Sequence, residues 1–250
     1  MEPLRTDRYL DALTAQSALL AEALAGADLE LRVPTCPEWT LRQLVEHLGL
    51  VHRGVTGIVS RRVTTKPDAD TPRVTVPDDA DGLRTWLVDG ARELVEAIRS
   101  VDPQTSIWSS ARRMAHETAV HRADVELALG RDFTLDADLA ADAISEWLSL
   151  LSRPQAMEYR PELAALRGDG QILHLHSTDP GLGEAGEWVV RRTPSGPVWE
   201  HGHFKGDVAV RGPVVSLLLV MMRRISPSDA SITVLGDAGM LEHWLEHTRF

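Results

Sequence analysis

Residues 109–130 read SSARRMAHETAVHRADVELALG, and this stretch decides the fold. No proline interrupts it, and Gly130 stands where a helix would close on a left-handed residue. As a helix from about Ser109 to Leu129, it brings Glu117 and His121 onto one face, four residues apart. Met114, Asp124, Val125 and Ala128 continue that face. A carboxylate and an imidazole one turn apart are a usual way for a helical bundle to hold a metal. Such pairs also decorate many helix surfaces, and spacing alone leaves both readings open. Asp124, one turn beyond His121, is placed to orient a ligand. His116 projects roughly 100° away from Glu117 and is read as a non-ligand.

Further helices lie on either side. Leu10, Leu13, Ser17, Leu20 and Leu24 recur at three- and four-residue steps, giving a helix from about Thr6 to Ala25 that Gly26 ends. Arg32 to Trp39 contains Pro34 and Pro37 and reads as a loop. Thr40 has Gln43 three residues on, a capping-box spacing that opens a second helix. Its expected inward face is Leu44, His47, Leu48 and Val51, which sets His47 among apolar neighbours. An imidazole buried there needs a partner. It is either a satisfied core histidine or a third ligand offered from across the bundle. Two histidines and one carboxylate match the open catalytic zinc pattern, with a fourth position left for water or substrate. Residues 63–82, with Pro67, Pro72 and Pro77, read as a loop. Helices are expected over about Asp79–Ser100 and Asp136–Ser152.

The pattern changes after Pro154. Residues 153–170 look like a boundary, and short alternating runs follow at Gln171–His176, Glu187–Arg192, Asp207–Val210 and Ser231–Leu235. Helices are expected at Pro213–Arg224 and Met240–Thr248. The fold class is therefore α+β: an N-terminal helical bundle within residues 1–155, then a smaller α/β domain over 165–250. Gly181, Gly183 and Gly186 match a dinucleotide-binding pattern, but the strand-like Trp188-Val189-Val190 follows at once, so a hairpin connection is read. His174 and His176 alternate, as do His201 and His203, and no carboxylate stands at a convincing spacing from either pair. A second metal site there is conceivable, but they are read as solvated or loosely packed histidines. His243 and His247, beside Glu242 and Glu246, read as a polar helix face.

Composition narrows the function classes. With 43% hydrophobic residues among 250, the chain can bury a real core. Its 26 basic and 37 acidic residues give a net charge of −11, which argues against nucleic-acid or anionic-membrane partners. No apolar run reaches the roughly 20 residues of a membrane span, and the start lacks a basic-then-apolar leader pattern. A single cysteine, Cys36, forms no internal disulfide, and a reducing cytoplasm is expected. Cys36 is read as a small buried hydrophobe beneath Trp39, and Trp39 as an anchor for the helix entry.

Two segments carry a resemblance. Val33-Pro34-Thr35-Cys36-Pro37-Glu38-Trp39-Thr40-Leu41-Arg42-Gln43-Leu44-Val45-Glu46-His47-Leu48 resembles the opening motif of the actinobacterial, mycothiol-dependent maleylpyruvate isomerase family. His116-Glu117-Thr118-Ala119-Val120-His121-Arg122-Ala123-Asp124 is similar to its second motif. Val210-Arg211-Gly212-Pro213 before Leu217-Leu218-Leu219, and Val234-Leu235-Gly236-Asp237 before the last helix, resemble its C-terminal half more loosely. The resemblance implies a DinB-like four-helix bundle at the N-terminus and a divalent metal, usually zinc, bound by His47, Glu117 and His121. It implies mycothiol as cosubstrate and a small-molecule electrophile as the second partner. Isomerisation and S-transfer both remain open, as do a metal-dependent hydrolase with Asp124 or Glu46 as base, a non-catalytic binder of a small molecule or metal, and a structural interaction module. It further implies a C-terminal arginine that helps hold an anionic substrate, with Arg224 the first candidate and Arg211 the second. Here the chain departs from the family, because the usual Gly-Arg pair reads Arg223-Arg224.

Overall fold

The computed structural model describes residues 4–61, 74–101 and 108–249, so most of the loop expected at 63–82 lies outside the described residues. The chain divides into two compact units, Leu4–Phe133 and Thr134–Phe250.

The first unit holds four helices, α1 (Thr6–Ala23), α2 (Leu41–Arg61), α3 (Ala80–Arg99) and α4 (Trp108–Ala128). Their ends follow local chemistry. The Thr40 N–H donates to Gln43 Oε1 at 3.0 Å and the Gln43 N–H to Thr40 Oγ1 at 3.3 Å, closing the capping box that starts α2. Asp79 caps α3 by accepting from the Gly82 N–H at 2.7 Å. After α4, Gly130 takes φ 67°. The Arg131 N–H donates to the Glu126 carbonyl at 2.8 Å and the Gly130 N–H to Leu127 at 3.1 Å, a Schellman closure. Helix α1 packs on α4 and α3, and α2 packs on α3. Leu20, Leu24, Leu41, Leu44, Leu48, Leu83, Leu87 and Val125 form the sealed centre.

Two local expectations change. Arg32–Val33 (β1) and Cys36–Thr40 (β2) form a small antiparallel hairpin instead of a plain loop. Pro37 is tolerated because neither strand has a second neighbour to bond. The buried stripe of α2 is Leu41, Leu44, Val45, Leu48 and His52, one step round from the expected face. His47 therefore flanks the core with its side chain 37% exposed, and the core histidine is His52.

The second unit begins with α5 (Ala137–Leu151), a short helix α6 (Ala156–Tyr159) and a 3₁₀ turn at Pro161–Leu166. A five-stranded sheet follows: β3 (Ile172–Ser177), β4 (Glu187–Thr193), β5 (Gly196–His201), β6 (Val208–Gly212) and β7 (Thr233–Gly236), with α7 (Val214–Met221) and α8 (Ala238–His247). The strand order is β5-β4-β3-β6-β7, parallel only between β3 and β6. Strand β5 escapes the sequence reading because it opens on Gly196-Pro197, a turn signature. As an edge strand it accommodates the proline. The Gly181–Gly186 segment is indeed a connection, ending in a 3₁₀ turn that runs straight into β4.

Leu173, Leu175, Trp188, Val190, Val208 and Val210 point to one face of the sheet and are buried. Trp188 Nε1 donates to Ser145 Oγ of α5 at 2.9 Å on that side, and α7 packs on α5, β3 and β6. Helix α5 thus belongs to the second unit, and the division falls at 133/134 instead of between 155 and 165. Its apolar stripe is visible in sequence, but a stripe does not say which partner buries it. The opposite face carries His174, His176, Glu187, Ala209 and Arg211, which the strand registers bring side by side. The connection 202–207 leaves β5 and crosses β4 and β3 to reach β6. Among the described residues no helix is long and apolar enough to cross a membrane.

Candidate functional site

Helix α4 presents Glu117 and His121 on one face, and α2 brings His47 to meet them. One ligand atom from each of the three lies within 4.8 Å of the others. His47 Nε2 is 3.6 Å from Glu117 Oε1, and Arg113, one turn earlier on α4, sets its Nε 3.4 Å from Glu117 Oε2. Burial opposes ionisation of Glu117. The contact with His47 and the charges of Arg113 and His121 outweigh it and hold the carboxyl below the usual range. Glu117 is therefore an anionic donor at neutral pH.

Behind the donors the site is braced. His121 Nδ1 lies 3.0 Å from Asp124 Oδ2, and Thr35 Oγ1 donates to Asp124 Oδ1 at 2.5 Å. Asp124 is completely buried. Fixing Nδ1 against a carboxylate leaves Nε2 of His121 as the outward donor, the usual arrangement behind a metal-bound imidazole. Thr35 sits in the turn between β1 and β2, so the hairpin is tied directly to the site. Trp39 does more than anchor the helix entry. Its ring lies 4.8 Å from the His47 ring and 6.4 Å from that of His121, making it one wall of the site. Cys36 is partly buried against the apolar core, close to the expected role. His116 is buried and meets Tyr9 edge-on at 5.8 Å, outside the His47, Glu117 and His121 group.

Two contributors escape the sequence reading. His52 is fully buried, with Nε2 2.9 Å from Thr118 Oγ1. Burial pushes its imidazole down to about 4 against the pull of Glu117, so it stays neutral beside the donors. Its position one turn after Leu48 on the buried stripe was the available signal. The other is Arg113, whose four-residue spacing to Glu117 is the helical ion-pair signature.

The arginines proposed for substrate both lie in the second unit. Arg211 is exposed on β6, opposite His176 in the register. Arg224 follows α7 and donates Nη1 to the Met222 carbonyl at 2.7 Å. Arg223 takes φ 62°. The Arg224 N–H reaches the Leu219 carbonyl at 2.7 Å and the Arg223 N–H that of Val220 at 2.8 Å. This is the Schellman closure a glycine usually makes, so Arg223-Arg224 occupies the conformational frame of a Gly-Arg pair.

His243 and His247 behave as a polar helix face: His243 Nε2 meets the Ala165 carbonyl and His247 Nδ1 the His243 carbonyl. The sheet histidines are only partly solvated: His174 is buried, His176 half-buried and His203 exposed. His174, His176 and His203 converge with Glu187, the one other group among the described residues able to hold a metal. The carboxylate comes from the neighbouring strand, where sequence spacing does not reveal it.

A search of curated proteins returns no match to the sequence. Residues 10–126 match the family profile described as mycothiol maleylpyruvate isomerase N-terminal domain, and residues 138–243 match the C-terminal domain of the same family. The fold is similar to a crystal structure of the mycothiol-dependent maleylpyruvate isomerase, with a TM-score of 0.57, 13% identity and coverage of 92% of this chain and 93% of that one. A crystal structure of a histidine-to-alanine mutant of that enzyme aligns with a TM-score of 0.54, again at 13% identity and with the same coverage. With both of its domains matched in order across the chain, this protein belongs to the mycothiol maleylpyruvate isomerase family.

Proposed function

We propose that the chain is a divalent-metal enzyme that uses mycothiol to act on a small anionic electrophile. The convergence of His47, Glu117 and His121 carries this reading. The donor set fits the metal: two imidazoles and an ionised carboxylate, one imidazole oriented by a buried carboxylate, leave a fourth position open. Zinc suits such a set, and the donor chemistry alone also admits cobalt or nickel. When bound, the ion supplies Lewis acidity that keeps a thiol as its thiolate at neutral pH.

The residues of the chain do the rest. Asp124 holds His121 in one tautomer, and Arg113 keeps Glu117 ionised. Trp39 walls one side of the site against water. Arg224 and Arg211, the arginines that the resemblance assigns to an anionic substrate, both lie in the second unit. Sulfur adds to an electrophilic carbon and converts the conjugated double bond to a single bond. Rotation and expulsion of the same sulfur re-form the double bond in the other geometry and return the thiol unchanged. If the sulfur stays attached, the outcome is S-transfer. The hydrolase alternative loses support, because Asp124 is fully buried against His121 and Thr35, and Glu46 pairs with Arg42 at 3.2 Å.

The test is metal content together with thiol dependence. Native protein should carry a metal that is lost from the bundle in His47→Ala and Glu117→Ala, and turnover of a cis-configured unsaturated diacid should require added mycothiol. Turnover that proceeds without thiol would replace this reading with the hydrolytic one.

A further inference from the structure

We infer that the second unit holds a divalent transition-metal ion of its own, bound by His174, His176, Glu187 and His203. One donor atom from each of these residues lies within 4.8 Å of the others. His174 Nε2 is 2.6 Å from Glu187 Oε2, His176 Nδ1 is 2.6 Å from Oε1, and His203 Nδ1 is 3.2 Å from Oε1. Zinc–nitrogen bonds of about 2.0–2.1 Å would set tetrahedral donors roughly 3.4 Å apart, so small side-chain movements complete the shell.

The backbone builds this convergence. His174 and His176 alternate on β3 and so share a face, and His176 is registered directly opposite Glu187 on β4. The 202–207 crossover then carries His203 over both strands. Its path is tight: a Cβ on Gly206 would come within 2.6 Å of the Val208 carbonyl oxygen, 2.9 Å of that of Ile172 and 3.2 Å of His174 Cβ. The backbone of Glu187 is held as well, since its carbonyl oxygen lies 2.9 Å from His201 Nδ1.

A plain hydrogen-bonded cluster accounts for less. The three imidazole rings stand 70°, 78° and 90° to one another with centroids 5.0–6.1 Å apart, a radial arrangement about a point and not a stack. His176 Nδ1 is buried and, although close to Glu187, makes no hydrogen bond of acceptable geometry. Buried nitrogen without a bonding partner is uncommon. Three neutral imidazoles and a carboxylate are a complete ligand set for one dication. Nitrogen-rich donors select late first-row metals over magnesium or calcium. Four protein ligands close a zinc shell, so the ion would act structurally and pin the 202–207 crossover to the sheet.

The experiment uses the full chain, stripped with a chelator and reloaded with zinc, with metal counted after gel filtration. A His47→Ala, Glu117→Ala background removes the bundle donors. That background should still bind about one zinc per chain, and cobalt should give it a tetrahedral visible spectrum. Adding His176→Ala should abolish stoichiometric binding. Adding His203→Ala, at a side chain 73% exposed and harmless to folding, should weaken zinc at least tenfold. Retained circular dichroism with no zinc in the background chain would overturn the inference, as would zinc affinity unchanged by both added substitutions. If the wild type binds one zinc that only the sheet variants lose, the sheet site stands and the bundle reading fails.

Discussion

In the first unit, one helix face supplies Glu117 and His121, and a second helix adds His47. In the second unit, a strand supplies His174 and His176, its neighbour Glu187, and a crossover His203. Both clusters join imidazole to carboxylate, and each has a further histidine beside it, the fully buried His52 in one and the half-buried His201 in the other. They differ in how the carboxylate meets its imidazole. In the bundle Glu117 and His121 share one helix face four residues apart, with Asp124 bracing His121 from one turn away and His47 joining from another helix 70 residues earlier. In the sheet Glu187 comes from the neighbouring strand, 11 residues after His176, and its place beside the histidines becomes visible only once strand register is known. Local spacing reveals helix-borne chemistry and conceals sheet-borne chemistry.

The largest expected effect tests the bundle side. Glu117→Gln removes the only anionic donor among the three while keeping the shape of the side chain. A Lewis-acid centre contributes several kcal/mol to a transition state, so kcat/KM should fall by about a thousandfold or more. Metal content and steady-state kinetics with added zinc check this together. Full activity in a metal-depleted variant would break the assignment.

Next in size is a pH effect on stability from His52. Its imidazole titrates near 4 when folded and near 6.5 when unfolded, so the unfolded chain takes up the proton first. The contribution is complete above about pH 6.5 and is lost as pH falls towards 4, amounting to about 3 kcal/mol over that window. In metal-free protein, the slope of unfolding free energy against pH should be steeper in wild type than in His52→Asn, by up to about 1.4 kcal/mol per pH unit. His201 is less deeply buried, and His201→Asn should change the slope less. Equal slopes for both variants would erase this difference between the two units.

These residues mark what was legible in the sequence. The capping box at Thr40 and Gln43, the closure at Gly130 and the Glu117–His121 pair are near-neighbour features, and each stands as read. His47 meets Glu117 and His121, but it flanks the buried stripe instead of lying within it as the helical period suggests. Helix α5 is legible as a helix but its partner is not, since its stripe fits a bundle and a sheet equally well. Strand β5 and the place of Glu187 beside His174 depend on pairings between segments, which no one-dimensional period encodes.

Asp124→Asn sharpens the contrast in bracing. It removes the charge that fixes His121 while keeping the side chain's size, and loss of such a supporting carboxylate typically costs about 10–100-fold in metal affinity or activity. Zinc competition with a chromophoric chelator reads the bundle affinity directly. Thr35→Val should move it in the same direction by less, because it removes a single donor to Asp124.

The smallest effect compares how the two units stop a helix. Helix α4 closes on Gly130 at φ 67° and α7 on Arg223 at φ 62°, with the same pair of backbone bonds. A left-handed backbone costs an L-residue about 1–2 kcal/mol, so Gly130→Ala should destabilise by about 1 kcal/mol although a Cβ there meets nothing within 4 Å. At position 223 the penalty is already present. It is offset in part because Arg223 Nη1 donates to the Leu245 carbonyl at 2.8 Å, at the end of α8. Arg223→Gly relieves the backbone, adds about 0.5–1 kcal/mol of chain entropy to the cost of folding, and loses that bond. The net change should stay within about 1 kcal/mol of zero, while Arg223→Ala should be the less stable of the two because it keeps the strain and loses the bond. Denaturation midpoints of the three variants decide the matter. If Arg223→Gly falls below Arg223→Ala, the added chain entropy at position 223 outweighs the strain it relieves.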